Sequence, residues 1–440
     1  MTDYYVDWFR SYNVTCGNNG LSAQTPWGAA AGAVRAFANA AAGDTIYFIN
    51  AATPTGNETL AELHKIPVAD TGSISVGDLI HNNQGSEDAA GVRVAVVVTD
   101  DYILGEDIGN RMFNNAETVY VGATPVTTVD AAPSQPGVLI DGDFAASGSA
   151  AAPVTVQGVA ADGLTPEAAH LNGTNAAPGI VIDGVTNWRL RDLHIERPSS
   201  YGVEVADGEL YGWRLERVTV NLASSHGFKN LADLAYASMI DCAATHCTGH
   251  GVSTFPSGGV VQRCRFTDNG SAGATDVSNC LLIDSIVANN GSHGVLVNNH
   301  GMTILNCIID GNTGDGVNIT VGGQRVAVER CRITSSGGYG INAADVQHGQ
   351  TSDYNGFYAN NQGAHNNISP GEHDMTLSAT GYANAAAGDY TLTAAAELRR
   401  EAVAVDASNT VYVSAGFTPD DLATPHDHQV SFPEHEVTFP

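Results

Sequence analysis

A glycine returns at a nearly constant interval through the middle of the chain: Gly202, Gly227, Gly251, Gly273, Gly294, Gly316 and Gly340, at spacings of 25, 24, 22, 21, 22 and 24. A period of this length means a stack of like units, so every neighbouring residue must be read by its column. Nine positions before each glycine stand Leu193, Val218, Cys242, Cys264, Ser285, Cys307 and Cys331, and two positions later Ile195, Val220, Ala244, Phe266, Val287, Ile309 and Ile333. Both columns are mostly small or apolar. Just before the cysteine column the residues turn polar: Asp192, Arg217, Asp241, Arg263, Asp284, Asn306 and Arg330. Alternation with period two and one apolar side is the signature of strands buried on one face. Turns of this length, with Gly and Asn at the corners, describe a parallel β-solenoid. Stacking at roughly 4.8 Å sets Arg217 between Asp192 and Asp241, a water-facing charge ladder worth a few tenths of a kcal/mol per pair.

The same columns decide how the histidines and cysteines are read. The position before each glycine holds Tyr201, His226, His250, Ala272, His293, Asp315 and Tyr339. Such free exchange reads as corner filling beside a glycine that supplies backbone freedom, in preference to a His/Tyr strip touching a ligand. Cys242, Cys264, Cys307 and Cys331 share the inward column, and Cys280 falls in another apolar one with Trp188, Trp213, Met302 and Val326. Buried cysteine behaves as a small hydrophobe. Cys242, Cys247 and His250 have spacings that suit zinc, but one points inward and two lie at the corner, so convergence is not expected. Trp188 and Trp213 share core parity, which favours packing over a sugar platform.

Of 440 residues only 15% are charged, and 47 acidic against 18 basic residues give a formal charge of -29. So acidic a surface repels phosphate backbones and anionic lipid, which argues against nucleic acid and membrane partners. No apolar run is long enough to span a bilayer, and the N-terminal "MTDYYVDWFRSY" shows no basic-then-apolar leader, so a soluble protein made in the cytosol is expected. Seven cysteines, an odd number, do not look like a disulfide framework.

Outside the clearest repeats (186–344) the chain divides into an N-terminal strand and capping helix (1–59), an inserted irregular β region (60–130), the solenoid proper (131–393) and a closing segment with a tail (394–440). "TPWGAAAGAVRAFANAAAGDTIYFIN" supplies Thr25 as N-cap, Pro26 at the first helical position, an apolar stripe from Trp27 to Ala41, and Gly43 as the stop before a strand from Ile46 to Ile49. A helix laid across the first turn hides an open edge. "PGVLIDG" (136–142) and "PGIVIDG" (178–184) look like early turns. The alanine-rich part of the closing segment is expected to end as a short helix. The tail gathers His426, Asp427, His428, Glu434, His435 and Glu436, which read as a solvated extension in preference to a metal site.

Together "DYYVD", "GNNGLSAQTPW", "GDTIYFI", the Gly-punctuated turns, "SDYNGFYAN" and "AAGDYTL" resemble the right-handed parallel β-helix proteins of the pectate-lyase-like superfamily. The resemblance implies an all-β, right-handed parallel β-helix, and it is the sole source of the handedness. It specifies activity poorly, since that superfamily includes lyases, polygalacturonases, epimerases, phage tail spikes and structural virion proteins. Among these, the chain is most similar to the virion-associated members. The resemblance then implies a virion protein assembled in the host cytoplasm, a spike, fibre-like or capsid-decorating homotrimer among other virion proteins that holds a surface polysaccharide.

An active site is not expected. Asp192 and Asp241 lie two turns apart, roughly 10 Å, near the upper separation for inverting glycosidases. Arg217 between them keeps both ionised and spoils the acid role. No catalytic residue, cofactor or metal is therefore assigned. Candidate ligand-binding residues are His194, Arg265 and Arg332 in one outward column, Arg189 and Arg214 in another, and Tyr201, His226, His250 and His293 at the corner. The basic groups among them suit uronic acids. The alternative is a lyase or glycoside hydrolase acting on acidic polysaccharide.

Overall fold

The computed structural model describes residues 1–7, 19–49, 63–82, 91–99, 101–108, 113–134, 137–172, 179–207, 210–229, 234–254, 258–275, 279–345, 349–393, 403–405 and 411–413. These form a parallel β-solenoid of about seven turns with very little helix.

Each turn contributes two short strands, or limbs, to one long sheet and a third strand to a second sheet. In the first limb Ser238–Ile240, Val260–Gln262, Leu281–Ile283, Thr303–Leu305, Ala327–Glu329 and Thr351–Asp353 stack in parallel register. In the second limb Ala243–Thr245, Arg265–Thr267, Ile286–Ala288, Ile308–Asp310, Arg332–Thr334 and Gly356–Tyr358 do the same. Upstream the limbs merge into the long strands Trp188–Glu196 and Arg214–Asn221. The second sheet includes Val138–Asp141 on Ile180–Asp183, so the two "PG" segments are adjacent turns. It continues through Ala274–Thr275, Val295–Val297, Val317–Ile319 and Tyr339–Ala343.

The polar column between the limbs has a role that alternation alone does not show. Asp192, Arg217, Asp241, Arg263, Asp284, Asn306 and Arg330 all adopt left-handed backbone, φ 52 to 55°. They are the bend that folds one strand into two limbs. Asp192, Asp284 and Asn306 are buried, which corrects their expected place in water. Arg217 grips Asp192 through two bonds of 2.6 and 2.9 Å, and Arg263 grips Asp241 at 2.7 and 2.9 Å. Each arginine therefore pairs with the turn below.

The repeated glycines also act differently from expectation. None of the seven has positive φ. They are required by proximity instead: a Cβ on Gly273 would stand 2.7 Å from Asn290 Nδ2, and one on Gly251 2.9 Å from Asn269 Nδ2. Those asparagines form an internal ladder four residues before each glycine. Asn269 Nδ2 donates to Asn290 Oδ1 at 3.0 Å, and Asn290 Nδ2 to Asn312 Oδ1 at 2.9 Å. Cys247 heads this column and is buried, not at the surface corner.

The inward columns are sealed. Cys242, Cys264, Cys280, Cys307 and Cys331 are all buried and unbridged. Trp188 and Trp213 stack at 6.3 Å inside the core, and their indole N–H groups donate to Ala146 O and Val185 O. That geometry removes them as sugar platforms. The N-terminal helix runs from Ala29 to Asn39, later than the expected start at Pro26, because Trp27–Gly28 pairs as a strand with Val6–Asp7. Phe37 enters the core edge-on to Trp188 at 5.7 Å. Residues 63–128 include six antiparallel strands with their own core around Ile66, Ile80, Val92 and Ile103. The alanine-rich run after Thr393, Cys16 and the His/Glu tail lie outside the described residues.

Candidate glycan-binding face

The long strands Trp188–Glu196 and Arg214–Asn221 carry Leu190, Leu193, Leu215 and Val218 inward, so their alternate residues face out. Arg189, Arg191, Arg197, Arg214 and Arg217 fall here, five of the eighteen basic residues of a chain with charge -29. Glu216 is ion-paired with Arg191 at 2.6 Å and with Arg214. Hydrogen bonds to Asp192 raise the Arg217 pKa above its usual value and keep that guanidinium charged. Arg189, half-buried next to Arg214 in register, has no ion-pair or hydrogen-bond partner among the described residues.

Across the bend the second limb carries His194, whose Nδ1 lies 2.6 Å from Thr219 Oγ1 and whose Nε2 lies 3.1 Å from Glu196 Oε2. Asn221 Nδ2 donates to the same Glu196 oxygen at 2.9 Å, and Thr245 Oγ1 donates to Asn221 Oδ1 at 3.0 Å. The carboxylates of this face are thus already engaged: Asp192 by Arg217, Glu216 by Arg191 and Arg214, Glu196 by His194 and Asn221. Each of the three carboxylates therefore already holds a partner within the protein.

Arg265 and Arg332, in the same column as His194, are placed elsewhere in function. Arg332 is 1% exposed, and its guanidinium donates to Thr380 O at 2.5 Å and Ala379 O at 2.9 Å. Arg265 donates to Gly388 O at 3.2 Å. Both hold a strap, residues 379–392, whose Tyr382 and Tyr390 pack on Ile286, Ala288 and Ile308. Among the described residues the polar face is therefore open over the early turns and closed beyond them.

The histidine column is a structural corner. His226 Nδ1 accepts the His250 N–H at 2.9 Å, His250 Nδ1 accepts the Ala272 N–H at 3.1 Å, and His293 Nδ1 accepts the Asp315 N–H at 3.0 Å. Tyr201, His226 and His250 stack on one another at 5.7 and 5.0 Å, and Lys229 Nζ lies 4.0 Å over the Tyr201 ring. Ring faces spent on each other offer no platform to a sugar. Burial, with His250 and Lys229 adding to it, pushes the His226 pKa down to about 4, and burial lowers that of His293. Cys242, Cys247 and His250 do not meet, and among the described residues no group of three His, Cys, Asp or Glu side chains converges to hold a metal ion.

Arg191, Arg197 and Glu216 are the part of this face that the column reading passed over. Their signal was present as local density, five arginines within 189–217 of an acidic chain.

Residues 178–348 and, overlapping them, 274–377 match the family described as the right handed beta helix region. By fold and by this match residues 178–377 form a right-handed parallel β-helix. Among solved structures the chain is similar to pectate lyase Pel9A, at 15% identity and TM-score 0.56, covering 94% of each chain. It is also similar to an alginate lyase from Paenibacillus sp. str. FPU-7, at 12% identity and TM-score 0.43, covering 77% of this chain and 96% of that one. A third is ORF18 of Geobacillus virus E2, at 14% identity and TM-score 0.40, covering 55% of this chain and 50% of that one. No curated protein matches the sequence. At these identities the likeness is one of fold.

Proposed function

We propose that the chain is a non-enzymatic β-helix that binds acidic glycans on the face formed by Arg189, Arg191, Arg214 and His194. The observation carrying this reading is a cluster of arginines, one of them unpartnered, on a body of charge -29. A guanidinium matches a uronate carboxylate in geometry and charge, and each such hydrogen bond is worth about 1.5–3 kcal/mol. Calorimetric titration with oligogalacturonate and oligoalginate, against a neutral oligosaccharide, tests it. Arg189→Ala is expected to weaken acidic-glycan binding by about 10-fold or more, with stronger binding at low salt. Equal affinity for neutral and acidic glycans, or an unaffected Arg189→Ala, overturns it.

A second reading has an observation of its own. An unpartnered arginine beside a bound uronate is also a candidate proton-abstracting base, so a polysaccharide lyase is tested in the same samples by the appearance of unsaturated sugar ends. The virion setting forms part of the main proposal, supported by a rod closed by the helix Ala29–Asn39 and strapped by residues 379–392. Immunodetection in purified phage particles tests it, and absence from particles removes that setting while leaving glycan binding to stand.

A further inference from the structure

The outward face of the first limb changes character along the solenoid. Its early end carries Arg189, Arg191 and Arg214. Its centre, in register from Ser238–Ile240 to Thr303–Leu305, carries Ile240, Val260, Leu281, Ile283 and Leu305 with no charge at any outward position. Its late end carries Glu329 and Asp353, the latter hydrogen-bonded to His373. Arg330, at the bend there, lies 6.0 Å over the Tyr354 ring. The five central apolar side chains are half-buried and belong to none of the buried clusters. The strap that covers the second limb does not pack on them.

We propose that this face pairs with a second copy of the chain, the two solenoids running antiparallel. Two bodies of charge -29 repel each other wherever acid meets acid, so the docking surface must be uncharged or complementary. A twofold axis along the strand direction reverses the order of turns and keeps each column opposite itself. It sets Asp353 of one copy on Arg191 of the other, and Glu329 on Glu216, whose charge Arg191 and Arg214 already neutralise. The apolar centres then meet, Val260 on Leu281 and Ile240 on Leu305. A twofold along the solenoid axis sets the turn of Arg189 and Arg191 on itself and the turns of Glu329 and Asp353 on themselves instead. Eight strands at about 4.8 Å make the strip about 34 Å long and about 10 Å wide. At about 340 Å² per partner the strip is smaller than a standard specific interface and fits a weak, transient dimer. The partner's Asp353 and a uronate compete for the same guanidinium, but the pairing rests on charge order and apolar centre, not on glycan binding.

Sedimentation velocity at rising protein concentration is expected to show a weak monomer–dimer equilibrium. Ile283→Asp is expected to abolish the dimer with unchanged circular dichroism, and Ile240→Ser to weaken it should the aspartate disturb folding. For orientation, Arg189→Cys with Thr351→Cys is expected to give a covalent dimer on oxidation, while either single cysteine gives none. A monomer at every concentration, a trimer, a dimer insensitive to both apolar variants, or cross-linking by Thr351→Cys alone each overturns the proposal. Ile283→Asp touches no arginine, so retained glycan binding by a monomeric variant separates this result from the functional reading.

Discussion

Replacing Asn290 with alanine removes the central rung of the internal ladder. The side chain is fully buried, and Nδ2 donates to Phe266 O at 3.1 Å and to Asn312 Oδ1 at 2.9 Å. Its Oδ1 accepts from the Asn269 N–H at 3.1 Å and from Asn269 Nδ2 at 3.0 Å. Alanine leaves the Asn269 backbone N–H and one of the two Asn269 Nδ2–H groups, the other staying on Ala244 O, without acceptors, at about 1–3 kcal/mol for each orphaned group. Partial relaxation and the methyl's own burial leave a net loss of about 4 kcal/mol. With an unfolding entropy of about 2.1 cal/mol/K per residue, this lowers the Tm of a cooperatively melting solenoid of this length by about 4 °C. Calorimetry measures the shift, and Asn290→Asp, which keeps an acceptor and loses the donors, should fall in the same direction. A loss under about 1 kcal/mol for Asn290→Ala would refute the view that the ladder is an energetic spine and leave it a packing detail.

Arg332→Ala should free the strap, raising the rate of proteolytic cleavage within residues 379–392 by about 10-fold or more, read by limited digestion and mass spectrometry. His226 binds a proton near pH 4 in the fold and near 6.5 when unfolded. The unfolded chain therefore holds more protons between those values, and stability falls as pH drops from about 6.5 to 4, by on the order of 2 kcal/mol for a partly exposed ring. His226→Gln should flatten that slope in denaturation curves. Burial pushes the Cys264, Cys280 and Cys307 thiols up, so iodoacetamide should leave these three unlabelled in the native protein and label them in denaturant.

The glycine period, the inward cysteine and isoleucine columns, and the stacked turns were legible in the sequence because a solenoid repeats one local environment, and repetition writes itself into columns. The bend between the limbs was not. Asp192 and its column look polar and water-facing in a period-two reading, and only the left-handed backbone of the fold shows that they break the strand. The asparagine ladder was visible at positions 269, 290 and 312, yet a search for inward apolar columns passes over an inward polar one. Arg332 and His194 share a column but not a fate, since residues 379–392 return over one and not the other. Turn length and side-chain parity are local and travel with the sequence. Which outward residues stay open depends on contacts between segments far apart in the chain, and those exist only once the solenoid has closed and its strap has folded back on it.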